Sequence, residues 1–172
     1  MTHRSTLLEK HERIQDGQPV LSRITRPVPS GRLVMSFVLP LEVCKSQDIN
    51  RHRKGWALSR DRSTILEKYL RPQWFDRRGQ LGNHDVQLPL AGRPQVLCVR
   101  YSSVEPDALA NWGKQVVDCL QPSRFRAGKV YLGLGIIRND RPKDCEVVEW
   151  WEPASAKRGF CVFEVWTGEG RT

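Results

Sequence analysis

Hydrophobic residues gather in short runs along the chain, each closed by residues that break regular structure. The run RLVMSFVLP at residues 32–40 is apolar apart from Arg32 and Ser36 and ends on Pro40, which predicts a strand. PQVLCVRYS at 94–102 predicts a second strand, and CEVVEWWE and RGFCVFEVW, on either side of the turn PASAKRG, predict a terminal hairpin. Trp150 and Trp151 are adjacent, so in a strand they point to opposite faces; one joins the core and the other needs cover from a helix, the N-terminal arm or a second subunit. Helical spacing appears twice. In SRDRSTILEKY, Ser59 to Tyr69, an apolar stripe is formed by Ile65, Leu66 and Tyr69 with the following Leu70, and Pro72 is expected to end the helix. EPDALANWGKQVVDCL, Glu105 to Leu120, predicts the second helix, entered after Pro106.

The remaining stretches lack a period. STLLEKHERI suits a short helix on an N-terminal arm, which ends in the proline- and glycine-containing RITRPVPSGR. CKSQDINRHRKGW is expected to be a loop, and WFDRRGQLGNHDVQLPLAGRP a long loop or a pair of short edge pieces. The order strand, helix, strand, helix, strand, strand implies an α+β fold, a small mixed sheet of about four strands with two helices packed on it. The expected division is a basic, partly flexible arm at 1–32 and one domain at 33–172.

Charge changes this picture. Among 172 residues the net charge is +9, and it is uneven: residues 1–32 carry +3, residues 45–78 carry +6, and the rest sum to zero. A neutral body with a basic arm and a basic insert suits a polyanionic partner, of which nucleic acid is the commonest. No apolar run is long enough to span a bilayer and the N-terminus lacks a secretory core, so a cytoplasmic, membrane-free location is expected. The five cysteines are far apart, without zinc-ligand spacing, and sit beside apolar residues; buried free thiols are expected.

Candidate chemistry lies on the second helix. At 100° per residue, Asp107, Asn111, Lys114 and Asp118 share one face, opposite Leu109, Val116 and Leu120. Such a face is that of an ordinary amphipathic helix unless another acid joins it. GIIRNDRPKD supplies one, where an apolar, strand-like run breaks into Asn139 and Asp140. Carboxylates from a helix and a loop can converge on Mg²⁺, which prefers oxygen ligands, and a lysine beside them can orient water or neutralise a phosphate. Acids facing a polyanion call for a cation between them.

The pattern N-x-x-K-x-x-x-D-x-L, here Asn111, Lys114, Asp118 and Leu120, followed by a glycine-apolar run and an acidic residue, resembles the RusA-type Holliday junction resolvases of phages and prophages. SQDINRHRKGW is similar to that family's early segment, with Asn50, Arg51, His52 and Arg53 in the matching place; the likeness covers about residues 33–166. The resemblance implies a RusA-like homodimer that binds branched DNA in recombination, repair or packaging and cuts it with Mg²⁺ or Mn²⁺, in a bacterial or phage-infected cell. It implies Lys114 and Asp140 as catalytic residues, with Asp107, Asp140 and Glu105 as metal ligands. DNA contacts would come from Asn50, Arg51, His52, Arg53, Lys54, Trp56, Arg60 and Asn111. The family's D-x-D-N signature is altered, because its two aspartates fall on Ala108 and Ala110; Asp107 and Glu105 are substitutes by proximity, and Asp118 pairs within the helix or faces the site. A RusA-fold protein that binds DNA or RNA without cutting is the alternative.

Overall fold

The computed structural model describes residues 13–15, 18–20, 26–44, 55–80, 86–106, 112–126, 128–154 and 159–168. In chain order the elements are β1 (Arg13–Gln15), β2 (Gln18–Val20), β3 (Leu33–Pro40), the helix α1, β4 (Gln95–Ser102), α2 (Lys114–Leu120), β5 (Arg124–Arg126), β6 (Lys129–Tyr131), β7 (Glu146–Pro153) and β8 (Phe160–Trp166). α1 is continuous through three segments, Gly55–Thr64, the π-helical Ile65–Leu70 and Arg71–Gln80. The fold is α+β: a four-stranded mixed sheet in the order β3-β8-β4-β7, with two helices. Two small hairpins, β1–β2 and β5–β6, stand outside that sheet.

The terminal hairpin expected from the sequence does not form. β7 pairs in parallel with β4, from Gln95↔Glu146 to Ser102↔Pro153, while β8 lies antiparallel to β4 on its other side and to β3 beyond. Parallel pairing requires a crossover, and the chain between β4 and β7, with α2 in it, supplies one. Side-chain character explains the order. β8 buries Cys161, Phe163 and Val165 completely and takes a central place, whereas β7, with Glu149, Trp150, Trp151 and Glu152 half-buried, takes the edge. The Trp150 indole donates to Glu152 at 2.8 Å and that of Trp151 to the Ser102 carbonyl at 3.1 Å, so both rings are held within the chain.

Pro72 does not end α1. The N–H of Arg71 bonds the carbonyl of Leu66 in an i to i−5 pattern, so the turn before the proline is wide. That shift accommodates the missing Pro72 donor and moves the preceding carbonyl away from its ring. Ile65, Leu66, Leu70 and Trp74 are buried on the sheet, and this apolar contact carries the helix past the proline through Trp74 and Phe75, where a loop was expected. Gln73, on the same helix, covers the outer edge of β3: its Nε2 donates to the Val38 carbonyl and its Oε1 accepts the Val38 N–H, each at 2.8 Å. The edge is thereby closed to a further strand at that point.

Of the expected N-terminal helix, residues 5–12 lie outside the described residues, and its last positions, Arg13 and Ile14, belong to β1. All five cysteines are free and buried. Burial pushes the thiols of Cys119 and Cys145 up to about 12, which suits core packing and not reactivity. Among the described residues, no helix is long and apolar enough to cross a membrane.

Candidate functional site

α2 is short, and its position is fixed from both ends. At the start, the Glu149 carboxylate on β7 accepts the Gly113 N–H at 2.8 Å, placing negative charge at the helix N-terminus. A side chain at residue 113 would meet Cys98 Sγ at 3.1 Å and Glu149 Oε1 at 3.2 Å, so the close approach favours glycine. At the end, the N–H groups of Leu134, Gly135, Ile136 and Ile137 donate at 2.8–3.1 Å to the carbonyls of Cys119, Leu120 and Gln121. These carbonyls would otherwise be orphaned at a helix terminus. The GIIRND stretch is therefore not a strand; it runs as a tie back along α2, with Ile136 and Ile137 fully buried. A Cβ at Gly133 would lie 1.9 Å from the Gln121 carbonyl oxygen, so this tie needs the glycine.

The tie delivers Asp140 to Lys114. The Lys114 ammonium donates to Asp140 Oδ2 and, one helical turn along, to Asp118 Oδ1. Asp118 Oδ2 accepts from Arg62 of α1, and Gln121 Nε2 donates to Asp118 Oδ1 at 3.2 Å. Two bonds to one nitrogen place the Asp118 and Asp140 carboxylates within roughly 6 Å of each other. The cluster thus links α1, α2 and the segment before β7. Its ends differ in exposure: the Asp118 side chain is 4% exposed, that of Asp140 23% and that of Lys114 31%.

Burial would raise the Asp140 carboxyl, but the Lys114 hydrogen bond and charge, the residue's own N–H and the charge of Arg124 together hold it below the ordinary carboxylate value. Asp140 is therefore ionised near neutrality. Arg124 reaches the cluster from β5: its Nη1 donates to Gln121 Oε1 at 3.5 Å, and its guanidinium lies 5.9 Å from the Tyr131 ring centroid. A cleft lined by Arg62, Ser63, Asp118, Arg124, Val130 and Tyr131 opens beside the cluster. The Nε of Arg62 is buried there without a hydrogen-bond partner.

Of the expected site residues, Lys114 and Asp140 are brought together. Glu105 is exposed beyond the end of β4 and takes no part in this cluster. Asp107 and Asn111, with Ala108 and Ala110, lie outside the described residues, as do Asn50, Arg51, His52, Arg53 and Lys54 of the basic segment. Trp56 and Arg60, placed in a loop and a helix by the sequence, both fall in α1. Arg62, Asp118, Gln121 and Arg124 complete the cluster. Asp118 stood out on its helix and Arg62 in the basic segment, but their contact joins residues 56 positions apart and leaves no local pattern.

Among the described residues, no three His, Cys, Asp or Glu side chains converge on a metal-binding point. Asp118 is occupied by Lys114, Arg62 and Gln121. Asp140 is the more exposed acid and, although its Oδ2 is bonded by Lys114, is the one carboxylate of this cluster that could be offered to Mg²⁺, an ion that keeps several waters and often takes its remaining ligands from substrate phosphates. Arg62, Lys114 and Arg124 outnumber the two carboxylates by one positive charge, which suits an approaching phosphate. No family model, curated protein or solved structure matches the chain.

Proposed function

We propose that the protein is a RusA-type endonuclease acting on branched DNA. The observation that carries this reading is the Lys114–Asp140 contact: two residues 26 positions apart, singled out by motif, meet at one partly exposed point. A divalent ion, Mg²⁺ or Mn²⁺, would be held there by Asp140 and by the substrate itself, and would supply polarisation of the scissile phosphate and activation of a water. Lys114 then exchanges its carboxylate partners for a phosphate oxygen and offsets the charge that accumulates on it. Arg62 orients Asp118, which in turn orients Lys114. Arg51, Arg53, Lys54 and Arg60 hold the DNA backbone, and a homodimer presents two such sites to the two halves of a junction. This activity belongs to recombination or DNA processing in the cytoplasm of a bacterium or phage-infected host.

A second reading, a RusA-fold protein that binds DNA or RNA without cutting it, is favoured by Ala108 and Ala110 and by the saturation of Asp118 with cationic partners. The two part in one experiment. The full chain is incubated with an end-labelled four-way junction with and without Mg²⁺, beside its Asp140→Asn and Lys114→Met variants. Metal-dependent nicking, lost by at least about 100-fold in either variant, supports the nuclease, since loss of one group that stabilises charge in the transition state costs about that much. Tight, salt-sensitive binding with no product at any Mg²⁺ or Mn²⁺ concentration overturns it in favour of the second reading.

A further inference from the structure

The β5–β6 hairpin gives Arg124 to the charged cluster, and the rest of it has an unusual surface. Phe125 and Val130 are directly paired across its two strands, and they are 73% and 60% exposed. Leu132, just after it, is 42% exposed. Neighbouring strand residues alternate between faces, so Arg124 and Tyr131, also a direct pair, occupy the other face; they line the cleft beside Asp118, and Val130 borders it as well. The hairpin is anchored at its base, where the Gly133 N–H donates to Ser123 Oγ at 3.1 Å. Gly128 at its tip has φ +75, a conformation that side chains rarely adopt.

Charge indicates what the apolar pair meets. From Asp118 to Asp140 the sequence has four basic residues, Arg124, Arg126, Lys129 and Arg138, against the two flanking acids, both of which Lys114 bonds. An apolar pair on a segment of net positive charge suits a nucleic acid, which offers phosphates to the cations and ring faces to the phenyl group. Duplex DNA hides those ring faces, and a branch point exposes them. Apolar side chains on basic elements insert at such unstacked steps.

We propose that the β5–β6 hairpin is a second DNA contact, in which Phe125, supported by Val130, stacks on a base left unstacked at the branch point while Arg124 takes a neighbouring phosphate along the cleft. The inference rests on the DNA-binding reading above and deepens it: the hairpin selects branched over linear DNA, whether or not the cluster cuts. Arg124 couples the two, since its charge already acts on Asp140.

The test is fluorescence anisotropy without divalent metal, using a four-way junction and a linear duplex of equal length. Wild type is compared with Phe125→Ala, Phe125→Trp and Arg124→Gln, with circular dichroism and sedimentation recorded for each. Phe125→Ala is expected to weaken junction binding about 10-fold, the loss of one stacked base, and duplex binding less than about 2-fold; Phe125→Trp restores the junction affinity. Arg124→Gln is expected to reduce the salt dependence of junction binding by about one phosphate contact. Unchanged junction affinity in Phe125→Ala overturns the hairpin's role alone. An equal loss on junction and duplex also overturns it, as does a loss confined to structured RNA or a dimer that merely falls to monomer. A wild type with no affinity for any DNA overturns this inference together with the reading beneath it.

Discussion

The two sides of α2 present opposite solutions to being buried. Val116, Val117 and Leu120 belong to the same apolar cluster as Phe37, Ile65 and Phe163, where nothing but shape distinguishes one neighbour from another. Lys114 and Asp118, on the same seven residues, meet Arg62, Asp140 and Gln121 through directional bonds between charges. The apolar side is held by the volume it fills and is indifferent to pH and salt. The charged side is held by balance, so each group removed leaves another uncompensated. A short helix can therefore be rigid enough to aim a lysine without being stable by itself, because one face supplies anchorage and the other supplies direction.

The largest effect is expected from breaking the apolar side. Phe163 is fully buried, with its ring 5.8 Å from that of Trp112 in an edge-on arrangement, so Phe163→Ala should cost about 3–5 kcal/mol in urea unfolding. The loss should be the same at low and high salt; a strong salt dependence would erase the distinction between the two sides. Next comes Asp118→Asn, which leaves Arg62 and Lys114 facing a neutral amide. A cost of about 2 kcal/mol is expected, below that of breaking a fully enclosed pair because both cations keep contact with water. Pairing it with Arg62→Met should recover part of that loss, and strict additivity in the double variant would show that the two residues do not interact.

The smallest effect concerns pH. The Asp140 carboxyl lies below its ordinary value of 3.8 in the folded chain, so the stabilisation it brings is complete above that value and is lost as pH falls through the lowered one. Asp140→Asn should therefore reduce stability by under about 1 kcal/mol at pH 7 and flatten the acid limb of the stability curve below about pH 4. An unchanged acid limb would mean that another carboxylate governs it.

How much of this was legible in the sequence differs along the same divide. Apolar runs with closing prolines identified β3, β4, β7 and β8, because burial is written locally in composition. Their pairing was not, since CEVVEWWE and RGFCVFEVW look adjacent along the chain and only the insertion of β4 between them decides otherwise. Pro72 misled for the same reason: the packing that carries α1 through it involves residues of other elements. Lys114 and Asp140 could be found by motif and Arg62 only as one of a basic segment, while Gln121 and Arg124 had no signal, being ordinary surface-type residues until the fold brings them round Asp118. The β5–β6 hairpin escaped notice because three-residue strands bearing arginines lack any apolar period.

The pairing of β3 with β8 bears on how the protein is made. Leu33 lies opposite Trp166, so the first strand of the main sheet finds one partner only when nearly the whole domain has been translated. At about 5–20 residues per second, β3 waits at least several seconds on the ribosome with Met35, Phe37 and Leu39 unsheltered by the sheet. α1, which follows it and already supplies Gln73 to its edge, is the first of the described elements large enough to shield it during that interval. Nascent chains halted once α1 has left the ribosome should thus show β3 protected from proteolysis, and rapid cleavage there would mean that the helix gives the strand no early shelter.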